Sequence, residues 1–361
     1  MIKMKVQIME SLHQIFKTEL YNKQFESYIS KTQDNSIVYN LRLLKRITKY
    51  YLKMAEKNNI QILYSVKANM NSPILQTIEK AGIDGFDCAS IYEYYQAKKS
   101  GMKRIYLVGD GFIKSDLEKI DFDFAQFDCS TVNQINVLKE MHPNIKVGVR
   151  LKGNSFFGIT IDDLKKNEYL KDIVRLHFHA DTTAQINMLL TKISKLLRNR
   201  TQIEKINLGG GILALKVLKR KDKEVLDLLN RIKELFPNAT VIIEPGQLLS
   251  SSIGFLISKV IDINDGNIIL NNSAFNLSSW YVPKLMTPHL PKGSSNIIGN
   301  TNWGGDIFTD NVDTTPVAIG DRMIFGLVGA YYTTTQRSLH GYSFPNEYYF
   351  KGEKNNGTKF N

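Results

Sequence analysis

The sequence predicts an α/β fold: a (β/α)8 barrel followed by a mostly β domain. Three observations carry this. Short apolar, β-leaning runs recur nine times between Ser36 and Gly246, most followed by a helical segment, which is the rhythm of parallel βα units. No glycine-rich dinucleotide fingerprint follows the early strands, which favours a closed barrel over an open doubly wound sheet. Beyond Ser250 the β-leaning runs continue without intervening helices.

A helical opening over Val6–Leu20 precedes the first strand, Ser36–Asn40, and Leu41–Lys57 then places apolar residues at helical spacing. The unit repeats as Ile62–Lys67 with Pro73–Ala81, Gly85–Ala89 with Tyr92–Lys99, Ile105–Gly109 with Ser115–Ile120, and Phe124–Asp128 with Val132–Met141. Val147–Leu151 follows, then Val174–His179 with Ala184–Leu197, Ile206–Gly210 with Glu224–Phe236, and Val241–Gly246. Nine strands are one more than a barrel needs. Either the first belongs to another sheet or one short run is not a strand. The expected division is an N-terminal segment 1–35 contributing to the β domain, a barrel over 36–249 and a β domain over 250–361. In the last, strands are expected over Phe255–Ile261, Ile268–Leu270 and Asp321–Phe325, and a loop over Pro283–Trp303, which is rich in proline, glycine, serine and asparagine.

Composition narrows the class. A chain that is 43% hydrophobic and 10% aromatic is globular rather than disordered. No apolar run reaches the roughly 20 residues that span a bilayer, and Met1–Leu20 mixes charged and apolar residues unlike a signal peptide, so a cytoplasmic protein without a membrane partner is expected. The net charge of +12 raises nucleic-acid binding, but the charge is dispersed and no nucleic-acid motif accompanies it. Cys88 and Cys129 are too few and too far apart for a disulfide framework or a zinc site; no metal is expected, and both read as small core residues.

In a barrel of this kind the strand C-termini form the active face. Polar residues that end apolar runs are Lys67, Asp87, Asp128, Arg150, His179, the run Gly209-Gly210-Gly211 and Glu244. Singly each has an ordinary explanation: a snorkelling lysine, helix caps, an ion pair, a satisfied imidazole, a turn. Their shared position argues for a site. A lysine buried at a strand end is expected to shed its charge and supply the neutral amine that a Schiff base requires.

These residues resemble the fold-type III pyridoxal-phosphate decarboxylases that act on ornithine, arginine and diaminopimelate, relatives of alanine racemase. The motifs are Tyr64-Ser65-Val66-Lys67-Ala68-Asn69, Gly85-Phe86-Asp87-Cys88-Ala89-Ser90 with Glu93, Leu176-His177-Phe178-His179, Gly209-Gly210-Gly211, Glu244-Pro245-Gly246 and Gly329-Ala330-Tyr331. The resemblance implies an alanine-racemase-like barrel with pyridoxal 5'-phosphate on Lys67 and His179 stacked on its ring. It implies Asp87 and Arg150 ordering the site, and the phosphate on Gly209, Gly210 and Gly211 with help from Thr182 and Tyr331. Glu244 beside the ring nitrogen would keep it protonated, which favours decarboxylation over racemisation. Lys67, His179, Glu244 and Tyr331 are the catalytic candidates. The resemblance also implies a homodimer with shared sites.

Two departures stand out. Gln247 occupies the place of a family arginine directed at the phosphate. The segment Gly299–Asp306 resembles the loop in which the family carries a cysteine that reprotonates the product and an acidic residue that grips a distal amine; here those positions are Asn302 and Trp303, with Asp306 three residues on. With Asn302, Trp303 and Asp306 as the substrate-binding candidates, the expected substrate is not a simple diamino acid. An aminocarboxypropyl group on a peptide-nucleotide, as in microcin C-type maturation, is one such chemistry. The alternative is a catalytically silent homologue acting through its binding surface.

Overall fold

In the computed structural model, which describes residues 22–352 apart from 180–181, 198–199 and 279, eight of the nine expected runs close into a parallel barrel. The opening helix over Val6–Leu20 lies outside the described residues. The ninth run is the first strand, β1 (Ser36–Asn40), which joins the other sheet. The barrel strands are β2 (Ile60–Ser65), β3 (Gly85–Cys88), β4 (Ile105–Val108), β5 (Ala125–Cys129), β6 (Val147–Leu151), β7 (Ile173–Phe178), β8 (Lys205–Asn207) and β9 (Thr240–Ile243), in that order. Closure is the pairing of β2 with β9, Ile60 opposite Val241 and Ile62 opposite Ile243. Helices cover the outer face and apolar layers such as Leu63, Tyr106 and Ile242 fill part of the inside, so the strands are buried on both faces and read as nearly continuous apolar runs.

The chain divides into two compact units, each described by itself. The barrel unit comprises Thr48–Lys67 and Ile78–Gly246; the β unit comprises the chain up to Ile47, Ala68–Thr77 and Gln247 onward. The β unit is an eight-stranded sheet containing β1, β10 (Gly254–Asn264), β11 (Asn267–Leu270), β12 (Lys284–Thr287), β13 (Lys292–Ile298), β14 (Ile307–Val312), β15 (Arg322–Gly326) and β16 (Asn346–Phe350). β1 runs antiparallel to β10 and parallel to β16, with Ser36 opposite both Ile257 and Asn346. The helix Lys23–Lys31 turns Phe25 and Ile29 onto this sheet, where they pack with Val38, Phe255, Ile257 and Phe350.

The loop expected over Pro283–Trp303 is corrected: β12 and β13 lie within it. Both strands are largely exposed, and β13 opens on Lys292, Gly293 and Ser294, all at the surface. With little burial there is no apolar alternation for a sequence reading to find. The helix Gly211–Lys219 was also not expected, because its first residue ends a glycine run that reads as a turn. No helix among the described residues is long and apolar enough to cross a membrane. Cys88 and Cys129 are buried free thiols.

Candidate active site

β2 leads into a short 3-10 turn, Val66–Ala68, that carries Lys67 over the C-terminal rim of the barrel. The expectation of a buried, neutral amine is corrected. The Lys67 side chain is 37% exposed and its Nζ lies 3.0 Å from Asp87 Oδ2, an ion pair with a fully buried carboxylate. Ser65 joins the pair to the other side of the rim: its hydroxyl stands 3.2 Å from Asp87 Oδ2 and 3.0 Å from the Glu244 carbonyl oxygen. Glu93 serves locally, accepting from the Ala89 N–H at 2.8 Å, while the Ser90 hydroxyl accepts from the Glu93 N–H as the N-cap of the helix after β3.

Glu244 follows β9 and is buried. Burial, and next the Asp87 charge, push its carboxyl up to about 7, against the opposing pull of His177, Lys67 and an amide donor from Asn207. Asn207 Nδ2 donates to Glu244 Oε1, and Asn207 Oδ1 accepts the Gly209 N–H at 2.9 Å. Behind Glu244 lies a polar interior. His177 Nε2 faces Glu244 Oε2 at 3.6 Å, His177 Nδ1 faces Asp128 Oδ2 at 3.4 Å, and Asp128 Oδ1 accepts from Arg175 Nε at 2.9 Å. Burial alone would raise Asp128, but the Arg175 and His177 charges outweigh it and hold the carboxyl below its usual range.

His179 ends β7 at the rim with an exposed edge. Desolvation by its packed side, then the positive charges of His177, Arg150 and Lys67, press its pKa down to about 4, so the ring is neutral at physiological pH. A neutral aromatic face suits stacking. The glycine run passes close by: a Cβ on Gly209 would sit 3.0 Å from His179 Nδ1, and one on Gly210 would sit 2.5 Å from the Glu244 carbonyl oxygen. Gly209 and Gly211 both take positive φ, +70° and +66°. Gly210 caps the helix Gly211–Lys219 with no side-chain bond, so the first N–H groups of that helix are left for an anion. Thr182 caps its own helix, accepting from the Gln185 N–H at 3.3 Å. Arg150 lies on β6 with its guanidinium over the Phe157 ring at 5.6 Å, and the turn carrying Phe157 is closed by the Ile159 N–H donating to the Arg150 carbonyl.

The donor set matches a phosphorylated pyridine aldehyde: an amine for the aldehyde, glycine N–H groups for the phosphate, a buried carboxylate for the ring nitrogen. Asp87 Oδ1 and Arg150 Nε are buried and make no hydrogen bond among the described residues, as expected of groups that order around a cofactor. Ser65, Asn207, Arg175 and His177 had no assigned role in the sequence reading. The available signal was the alternation Arg175, His177 within an apolar strand, which puts both side chains on one face.

The remaining candidates belong to the β unit. Tyr331 has φ +62°, its N–H donates to the Ala68 carbonyl at 2.7 Å, and its ring packs against Trp280 and Tyr281. Gln247 is buried and hydrogen-bonded to Tyr281. In the 299–306 loop Asp306 is buried: its oxygens accept from Thr301 N and Oγ1 at 3.2 and 2.5 Å and from Phe275 N at 3.1 Å. Trp303 is 55% exposed and packs one side on Phe275, centroids 5.8 Å apart, and Phe275 in turn carries the Arg337 guanidinium at 4.1 Å. Asn302 takes a left-handed φ of +53°.

Comparison with known proteins agrees with this geometry. Residues 42–158 match the family model described as pyridoxal-dependent decarboxylase, pyridoxal binding domain. A diaminopimelate decarboxylase of Aquifex aeolicus is 26% identical, covering 81% of this chain and 81% of the relative. Among solved structures, the carboxynorspermidine decarboxylase of Campylobacter jejuni complexed with norspermidine superposes with a TM-score of 0.72 at 18% identity over 87% of this chain and 93% of that one. The arginine decarboxylase of Paramecium bursaria Chlorella virus gives 0.72 at 21% identity over 91% and 99%. Both structural likenesses speak to the fold.

Proposed function

Because the chain belongs to the fold-type III pyridoxal-phosphate-dependent decarboxylases, we propose that it removes CO2 from the α-carbon of a diamino acid or an amino-acid precursor of a polyamine. The carrying observation is the pairing of a rim amine, Lys67 on Asp87, with the buried carboxylate of Glu244 at the same barrel end. The expectation of a substrate other than a simple diamino acid, with a peptide-nucleotide conjugate as its example, is overturned by the relatives, which are diaminopimelate decarboxylases, with solved neighbours complexed with L-lysine or norspermidine. The geometry supplies a reason. The Trp303 indole already packs on Phe275 within its own unit, so no stacked heteroaromatic substrate is needed to account for it. Decarboxylase activity also displaces the silent-homologue alternative.

When bound, pyridoxal phosphate supplies the electron sink for the pair left as CO2 departs. Lys67 would bind it, Asp87 would orient the Lys67 amine, and the N–H groups of Gly209, Gly210 and Gly211 would hold the phosphate, with Thr182 as a hydroxyl donor. Arg150 orders the rim beside them. His179, kept neutral, would meet the ring face, and Glu244 would hold a proton on the ring nitrogen. Asn302 has no ionisable proton to return to the α-carbon, whereas the Lys67 ammonium and the Tyr331 hydroxyl have one. Asp306 holds the loop that carries Asn302 and Trp303 together, through Thr301 and Phe275. We also infer a homodimer, on the family resemblance alone.

The test is a CO2-release screen of the reconstituted protein over diaminopimelate, arginine, ornithine, lysine and carboxynorspermidine, with the visible absorbance of bound cofactor read alongside. At least one should turn over, and Lys67→Ala should lose both the absorbance and the activity. Bound cofactor with no CO2 from any of the five would sink the substrate class; no bound cofactor would sink the site.

A further inference from the structure

We propose that His177 is a positioning residue, a buried imidazolium held between Asp128 and Glu244 that orients the Glu244 carboxylate and favours its ionised form for the cofactor ring nitrogen. The inference rests on the reading of Glu244 as the ring-nitrogen partner and goes beyond it by naming what holds that carboxylate from behind.

The first argument is donor geometry. His177 is fully buried and each of its ring nitrogens faces a carboxylate oxygen, Nδ1 toward Asp128 Oδ2 at 3.4 Å and Nε2 toward Glu244 Oε2 at 3.6 Å. A neutral imidazole carries one N–H and one lone pair, so either tautomer points a lone pair at a carboxylate. Only the doubly protonated ring offers a donor on both sides. Neither contact is short enough for a strong hydrogen bond in the protein alone, which leaves Glu244 room to settle when a ring nitrogen arrives on its far side.

The second argument is charge balance. Arg175 answers one of the two carboxylates, bonding Asp128 Oδ1 at 2.9 Å and the Phe127 carbonyl at 2.9 Å. Lys67 and Asp87 neutralise each other. That leaves Glu244 without a full cation unless His177 is charged, and an unpaired buried carboxylate is costly. The groups facing His177 are Glu244 beyond β9, Asp128 on β5 and Asp87 on β3, with Arg175 and His179 on its own strand. Burial opposes the charge, but the three carboxylates prevail and its pKa is raised. The same charge helps press the neighbouring His179 toward neutrality. Two histidines two residues apart are thereby given opposite states, one charged to hold Glu244 and one neutral to meet the ring face.

The third argument is connectivity. Glu244 is held from the front by Asn207, whose carbonyl oxygen receives the Gly209 N–H. His177 is the counterpart behind, so the carboxylate that meets the ring nitrogen and the turn that meets the phosphate are set by one polar chain running from Arg175 to Gly209.

The test has a readout that needs no turnover. In the wild-type apoprotein labelled with nitrogen-15 histidine, the His177 signals, assigned by their loss in His177→Gln, should report both nitrogens protonated at pH 7; a neutral tautomer there overturns the proposal. In the holoenzyme, His177→Gln should bind pyridoxal phosphate about tenfold more weakly or worse, by analogy with groups that orient metal ligands. It should also shift the pH dependence of the cofactor absorbance in the same direction as Glu244→Gln. A His177→Gln protein with native circular dichroism, wild-type cofactor affinity and an unmoved pH profile overturns it as well. If Glu244→Gln itself leaves the profile unmoved, the ring-nitrogen reading fails and this inference fails with it. A shifted Glu244→Gln profile with a neutral His177 defeats the inference alone.

Discussion

Glu244 and His177 titrate as a pair, and their position makes the stability of the apoprotein pH-dependent. Both folded-state values are raised, Glu244 to about 7 by burial first, and His177 by its carboxylate neighbours against burial. The folded chain therefore keeps protons that the unfolded chain has released. Stability from such groups is full below their unfolded values and is lost as pH rises through the folded ones. His179, pressed to about 4, is neutral when folded and opposes this trend only while its unfolded imidazole, at about 6.5, still holds a proton, one rising group against two falling ones. The urea midpoint of the apoprotein should fall as pH rises from about 6.5 to 8, and fall less in Glu244→Gln; a flat or rising midpoint would contradict the assigned ionisations. At this scale the sequence showed Lys67, Asp87, His179 and Glu244 because each interrupts an apolar run at its end. It did not show the state of Lys67, since the Asp87 partner that keeps the side chain an ion pair comes from the next strand. His177 and Asn207 matter through partners on other strands, which linear order does not reveal.

The turn between β8 and the helix Gly211–Lys219 is the element most exposed to substitution. Gly210→Ala would drive a Cβ to 2.5 Å from the Glu244 carbonyl oxygen, the atom that also accepts from Ser65. The clash is with backbone, so the turn must move, at a cost of about 1–3 kcal/mol. Gly211→Ala meets open space and is penalised only by its φ of +66°. Gly210→Ala should therefore lower the melting temperature and loosen cofactor retention more than Gly211→Ala does; equal losses would mean that the turn is not held as described. All eight barrel strands were readable because burial on both faces writes itself as nearly continuous apolar sequence. β12 and β13 were not, because exposed strands are held by ladder hydrogen bonds, to which side chains contribute little.

For the whole molecule, the inferred homodimer with shared sites gives the third prediction. Mixing Lys67→Ala chains with chains inactivated in the 302–306 loop should restore part of the activity in hybrids, since one of the two sites would combine an intact lysine with an intact loop. A wild-type protein that stays monomeric and fully active at every dilution would sink the proposal. The fold as a whole was legible from the alternation of strands and helices. The substrate was not, because Trp303 is a residue whose meaning depends on its neighbours: in sequence it stands where an acidic side chain is expected, and in the structure it packs on Phe275, the ring that also carries Arg337.

The placement of β1 between β10 and β16 has a consequence for biosynthesis. Its parallel partner, Asn346–Phe350, is among the last described residues to be made. A nascent chain thus emerges with Val38 and the Phe25 face made early and their neighbour Phe350 still untranslated, while the barrel strands, complete by Ile243, can already pair. The first of the described strands to leave the ribosome is one of the last of them to find its place, and until it does the chain offers an open edge to chaperones and to other copies of itself.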